Sequence, residues 1–341
     1  MKGCDGMNPK DRKTQVDALI QKMEDGIRGI FSSEQYAKYL KTMSKFHRYS
    51  FRNQLLIHLQ NPQATFCAGY VAWQNKFERH VKKGETGIRI LVPYRHKYRR
   101  TDPDTTEDTP EIKEMDEERE YITFHVGSVF DVSQTEGKPI PTIVHDLHGN
   151  VEEYEYFIEA VKQICPVPIT RKELPPSLDG YFSPGEKRIV LRDGMSQVQE
   201  AAAVIHEMAH AVLHNPEELK SEEAKRDKQT IEVEAESVSN VVCSYFDIDT
   251  KENSWGYIAT WSKTRDLPEL TASIKTIRDT ADRFITGIEE RMQALRKERS
   301  GTVEISGEKG GVDKKETLYD ALLTTGLPQK TGEDVEPSQR L

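Results

Sequence analysis

The chain has 341 residues, 36% of them hydrophobic and 31% charged, which allows two domains with cores of their own. No apolar run approaches the roughly 18 residues of a membrane span, and the opening stretch MKGCDGMNPKDRKTQ has no apolar signal core, so the expectation is a cytoplasmic protein with no membrane partner. Four cysteines, at positions 4, 67, 165 and 243, form no C-x-x-C pair, which argues against a disulfide framework and a thiolate metal site, and the formal net charge of −9 averages over regions of opposite sign.

In chain order, Val16, Leu19, Ile20, Met23, Ile27 and Ile30 recur at spacings of three and four and predict a first helix. Ser33 opens a second, SSEQYAKYLKTMSKFHRYS, and Ser50 a third, SFRNQLLIHLQ, which should stop before Asn61-Pro62. From Thr65 the pattern changes to short apolar runs, TFCAGYVAW and GIRILVPY, separated by the turn signal KKGETG. Lys76 to Arg100 carries nine basic side chains against two acidic ones, whereas residues 101–120 hold ten acids and two bases and read as a disordered acidic loop between two neighbouring strands. Strand character resumes in YITFHVGSVFDVSQT. These patterns predict an α+β chain of two domains: a helical unit with a small β-sheet over residues 10–135, and, after a linker at 136–150, a mostly helical unit with a short sheet over 151–298. Residues 299–341 read as a flexible tail.

In the second unit, VEEYEYFIEAVKQI predicts a helix and GYFSPGEKRIVLRD a hairpin. Ser196 and Gln199 then form a capping box for a helix carrying VIHEMAHAVLH. His206 and His210, four residues apart, project from one face and can grip one ion, while Glu207 lies one residue round, placed to act as a general base on water. A catalytic zinc needs a third protein ligand and an open fourth position to lower the pKa of a water to roughly 7. The segment QTIEVEAESVSNVVCSYF offers three carboxylates. Glu232 and Glu236 share a helical face and are taken as ligand and supporting acid, and Glu234, turned away, as the rival for the ligand position, read more simply as a solvated acid. His214 reads as a helix-end histidine. The strand near Arg188–Leu191 is a candidate edge for an extended peptide, and Tyr181 or Tyr257 a candidate oxyanion donor.

The pairing of IHEMAH with EVEAES resembles the zincin-type metallopeptidase domain shared by the ImmA/IrrE family and the antirestriction protein ArdC. The stretch HRYSFRNQLLIHLQNPQATFCAGYVAWQNKFERHVKKGETGIRILVPY resembles the ArdC N-terminal domain, where a Tyr-Ser-x-x-Asn segment, a Trp and a Lys-Gly-Glu-x-Gly turn recur in this order; FDVSQT and YIATW also match that layout. The whole, over about residues 15–290, is similar to LtrC-like members of this group carried by conjugative plasmids and transposons. The resemblance implies single-stranded DNA binding by the first domain, one zinc ion in the second, a gluzincin-like peptidase with an undetermined protein substrate, and protection of incoming DNA from restriction. The residues support the DNA partner independently, since single-strand binders combine a basic groove with aromatic platforms. Arg52, Asn53, Trp73, Lys82, Lys83, Arg89, Arg95 and Lys97 are the candidate contacts, with the acidic loop as a competitor for the groove. Two further readings remain: an ImmA-like protease that cleaves a repressor, and a DNA-binding protein whose zinc is only structural.

Overall fold

The structure is a computed structural model describing residues 9–99, 118–140, 151–214, 227–250 and 255–304. The first half holds helices α1 (Pro9–Ile30), α2 (Ser33–Lys45) and α3 (Phe51–Gln60), followed by β1 (Cys67–Gly69), α4 (Tyr70–Asn75), β2 (Arg79–Val81), β3 (Ile88–Arg99), β4 (Glu118–Asp131) and β5 (Thr135–Gly137). The second holds α5 (Val151–Ile164), β6 (Ile169–Lys172), β7 (Gly180–Ser183), β8 (Arg188–Arg192), α6 (Gln197–Leu213), α7 (Lys228–Tyr245), α8 (Ile258–Lys263) and α9 (Leu267–Glu304). The fold is α+β. Most of the acidic run 101–120, the linker 141–150 and the tail beyond Glu304 lie outside the described residues.

Local chemistry accounts for the element ends. The Ser50 side chain accepts from Asn53 N–H and starts α3, while Gln60 is its last residue before the Asn61-Pro62 stop. Helix α2 begins at Ser33, with Ser32 as its N-cap. The run TFCAGYVAW, read from its pattern as strand-like, is strand only at Cys67–Gly69 and then turns into α4. That helix buries Trp73, whose ring packs on Phe66 and Phe77, so its core contact decides the local structure over the strand preference of the aromatic and β-branched residues. Gly84, with φ +93°, occupies the left-handed position in the KKGETG turn.

Strands β1, β4 and β3 form an antiparallel sheet in which β3 and β4 pair along their length, from Ile88↔Val129 out to Arg99↔Glu118. The acidic run therefore lies between two paired strands, as the sequence predicts, but it is shorter than the expected 101–120, because Glu118, Arg119 and Glu120 already pair with β3 as part of β4. Asp131 locks the base of this arm: Thr65 N–H (2.7 Å), Phe66 N–H (3.0 Å), Ser133 N–H (3.0 Å) and Ser133 Oγ–H (2.6 Å) all donate to its carboxyl. Burial alone would raise its pKa, and these four bonds overturn that and hold it below the usual carboxylate value.

One apolar cluster runs through both halves. Val16, Leu19, Met23 and Ile27 of α1, Tyr36 and Leu40 of α2 and Leu55 of α3 pack into the same core as Phe157 of α5, Ile205 of α6, Val238 of α7 and Ile285 of α9. A smaller cluster, with Phe46, Tyr49, Ile88, Ile90 and Val129, lies under the β1-β4-β3 sheet. In the second half, β6-β8-β7 form a mixed sheet packed against α6. Strand β8, expected to be the edge, sits in the middle with three consecutive buried residues, Ile189, Val190 and Leu191. The hairpin brings β7 to one side, but the parallel pairing with β6 on the other is a long-range event that a hairpin pattern does not announce.

Candidate metal centre

Two caps aim the helices that carry the site. Ser196 and Gln199 form the expected capping box at the start of α6. Asp227 accepts from Gln229 N–H, Thr230 N–H and Thr230 Oγ1–H at the start of α7, one turn before Glu232, and Arg265 pairs with the same Asp227 carboxylate. Trp261 Nε1–H donates to Thr230 Oγ1 (3.0 Å), and Ser239 Oγ–H donates to Ala202 O (2.9 Å), which ties α7 to α6.

On that frame His206, His210 and Glu232 converge. The two histidine Nε2 atoms are 3.0 Å apart, and Glu232 Oε2 lies 3.7 Å from each. Bonds of about 2.0–2.2 Å to a tetrahedral zinc place ligand atoms roughly 3.3–3.5 Å apart, so these three side chains fit one such ion with only small adjustments. It is the one His/Cys/Asp/Glu cluster of this kind among the described residues. The Glu232 carboxyl is held far below its ordinary pKa by the two rings it faces. Burial draws His206 downward, but the carboxyls of Glu232, Glu207 and Glu236 outweigh it, and the net shift is upward.

Glu207 is buried beside the triad, and Phe182 N–H of β7 donates to its Oε2 at 2.7 Å. Gly180 permits this approach, because a Cβ there would meet Val190 O at 2.9 Å and Glu207 Cγ at 3.4 Å. Burial raises the pKa of Glu207 despite the opposing influence of His206 and His210.

The three acids of α7 divide differently from the sequence reading. Glu236 accepts from the Tyr257 hydroxyl. Glu234 is not a solvated acid: it is fully buried, with Oε2 3.2 Å from His214 Nε2 and Oε1 accepting from Ser273 Oγ–H at 2.8 Å. It lies four and seven residues before the buried Val238 and Val241, a helical spacing that marks the packed face of α7 and could have flagged it. Ser273, on α9, had no local signal. His214 is the C-cap residue of α6.

The candidate DNA residues also separate. Lys82, Lys83, Arg89 and Arg95 are exposed, Arg52 is partly buried, and Tyr94 beside Arg95 is 57% exposed. Asn53 and Trp73 are not surface contacts. Asn53 is buried and braces β3, donating to Leu91 O (2.9 Å) and accepting from Leu91 N–H (2.8 Å), while Trp73 is fully buried with its indole N–H on Phe130 O. A helix-start Asn and an aromatic in a basic stretch carry the same sequence signal whether they face solvent or core. Lys97 pairs through its backbone with Glu120 of β4.

Residues 10–130 match the family model of the N-terminal domain of anti-restriction factor ArdC. Residues 130–297 match that described as "Putative metallopeptidase family (DUF6782)". The two parts of the chain therefore resemble, in turn, the ArdC N-terminal domain and a family of putative metallopeptidases. An uncharacterized protein, pXO2-81 of Bacillus anthracis, is 29% identical to this chain over 92% of its length and 58% of the relative's, so the chain spans somewhat over half of that protein. Crystal structures of antirestriction ArdC from plasmid R388 are also similar. The metal-free form has 16% identity and a TM-score of 0.46 over 72% of this chain and 86% of that one; the Mn(II)-bound form has 17% and 0.49 over 80% and 97%. Among the described residues, no helix is long and apolar enough to cross a membrane.

Proposed function

We propose that this ArdC-like chain protects incoming DNA from restriction by binding it as a single strand, and that it carries a zinc-dependent peptidase centre on the same frame. The observation that carries the reading is the convergence of His206, His210 and Glu232 to within 3.7 Å of one another, with Glu207 buried beside them. The matches to the ArdC N-terminal domain and to a family of putative metallopeptidases support the reading.

His206, His210 and Glu232 would hold the ion, which would supply Lewis acidity toward a scissile carbonyl and toward water. Glu207 is the general base: Phe182 N–H holds one oxygen of its carboxyl, and the other takes a proton from the attacking water and returns it to the leaving amine. Strand β7, paired with β8 alone among the described residues, is the edge along which an extended peptide substrate aligns. Tyr257, held beside α7 by its bond to Glu236, is the candidate oxyanion donor. Residues 10–135 supply the DNA surface and 151–298 the peptidase centre. Lys82, Lys83, Arg89 and Arg95 neutralise phosphates, and the exposed Tyr94 ring offers a stacking platform.

Glu207→Gln tests both parts, because it keeps the ligands and removes the base. Peptide hydrolysis should be lost while single-strand affinity stays unchanged; hydrolysis that persists would overturn the role of Glu207. Survival of DNA protection in the same variant would assign protection to binding alone and leave the peptidase a separate task.

A further inference from the structure

From the metal-binding face of α6, a line of polar side chains runs inward. His210 Nδ1 lies 3.2 Å from His214 Nδ1, and His214 Nε2 lies 3.2 Å from Glu234 Oε2. Ser273 Oγ–H of α9 closes the line on Glu234 Oε1 at 2.8 Å. The side chains of His214 and Glu234 are 3% and 0% exposed, and Ser273 is also buried, so beyond the partly buried His210 the line is shielded from water. Burying a His and a Glu together is costly unless their polar atoms are matched, which argues that the arrangement has a task.

We propose that His214, Glu234 and Ser273 are positioning residues for the metal centre, setting the tautomer and orientation of His210. The inference rests on the reading of His206, His210 and Glu232 as metal ligands. The proton assignments are mutually forced. His210 turns Nε2 toward His206 and Glu232, so that nitrogen must keep its lone pair for a cation and Nδ1 must carry the hydrogen. Nδ1–H then donates to His214 Nδ1, which leaves the hydrogen of His214 on Nε2, where it donates to Glu234. Reversing either imidazole breaks the line. The geometry is also held at both ends: His214 N–H caps α6 by donating to His210 O (2.9 Å), and Ser273 anchors the carboxyl from a third helix. Ligand histidines commonly donate their second nitrogen to a carboxylate; here a second imidazole is interposed, which lets a glutamate on the buried face of α7 serve a ligand it does not reach directly.

The experiment measures zinc affinity of the full, metal-stripped chain by competition with a chelating dye, and the visible spectrum of the cobalt-substituted protein as a report on ligand geometry. His214→Phe and Glu234→Gln should each weaken zinc binding by about 10–100-fold and shift the cobalt bands. The double variant should lose no more than His214→Phe alone, because Glu234 acts through the ring. His214→Asn, which keeps an acceptor near the Nδ1 position, should recover part of the affinity. A purely structural role would lower the unfolding temperature of the metal-free protein while leaving affinity, spectrum and additivity untouched, and that result overturns the proposal. If His214→Phe does not fold, Glu234→Gln with wild-type affinity and cobalt spectrum overturns it equally. Wild-type protein that binds no zinc would instead overturn the metal reading on which it stands.

Discussion

At the scale of the residue, side chains expected at the DNA surface turn out to hold the fold. Asn53 supplies both a donor and an acceptor to Leu91, so Asn53→Ala strands a buried backbone N–H and C=O. It should cost about 2–4 kcal/mol in denaturant unfolding, with single-strand affinity of the folded fraction unchanged. His58 is a second case. Buried on α3, with Nδ1 2.9 Å from Thr42 Oγ1, it is pulled down from 6.5 to about 4, first by burial and then by the Lys38 charge. The folded chain therefore binds the proton later than the unfolded one: His58 contributes stability that is fully present above about pH 6.5 and is lost as pH falls toward 4, on the order of 3 kcal/mol in all. His58→Gln should flatten that limb of a stability-versus-pH curve; an unchanged slope would contradict the assignment. Spacing marks His206 and His210 with Glu207 between them, because a metal demands donors at fixed helical intervals, but for the third ligand it offers the acids of α7 and leaves Glu232 a choice with Glu234 as its rival. Glu234 and Ser273 escaped because the partner that explains each lies on another helix.

At the scale of the element, the β3–β4 arm was legible as two strands flanking an acidic excursion, since strand patterning survives on both sides of it. Less legible was which side chains the arm presents. Alternation puts Leu91 toward the main core and leaves Arg89 and Arg95 exposed, while on the other face Ile90 is buried and Tyr94 exposed, so the strand changes environment part-way along. Replacing Lys82, Lys83, Arg89 and Arg95 one at a time by Ala should weaken single-strand binding and reduce the slope of log K against log salt by about 0.7 for each phosphate left without its cation. A slope unmoved by all four would exclude this surface. The β6-β8-β7 order was hidden for a different reason: a hairpin fixes one neighbour of β8, and the other comes from packing.

At the scale of the whole molecule, the two-part sequence pattern coexists with one continuous apolar core and a polar clamp. His47, in the turn between α2 and α3, lies 3.0 Å from Asp282 of α9, and Arg278 of the same helix donates to His47 O. The chain should accordingly unfold in one transition, with tryptophan fluorescence and far-ultraviolet dichroism coincident. Asp282→Ala should lower that transition by about 3 kcal/mol without splitting it, and two separated transitions in the parent would contradict a shared core. The same frame aims α6 and α7 at each other, and the central claim is that their three side chains hold one ion. Calorimetric titration of the metal-stripped chain with zinc tests it most directly. The account predicts one ion per chain, with affinity reduced more than a hundredfold in His206→Ala and in Glu232→Ala. A stoichiometry and affinity unchanged by those two substitutions, or no binding in the parent, would contradict it.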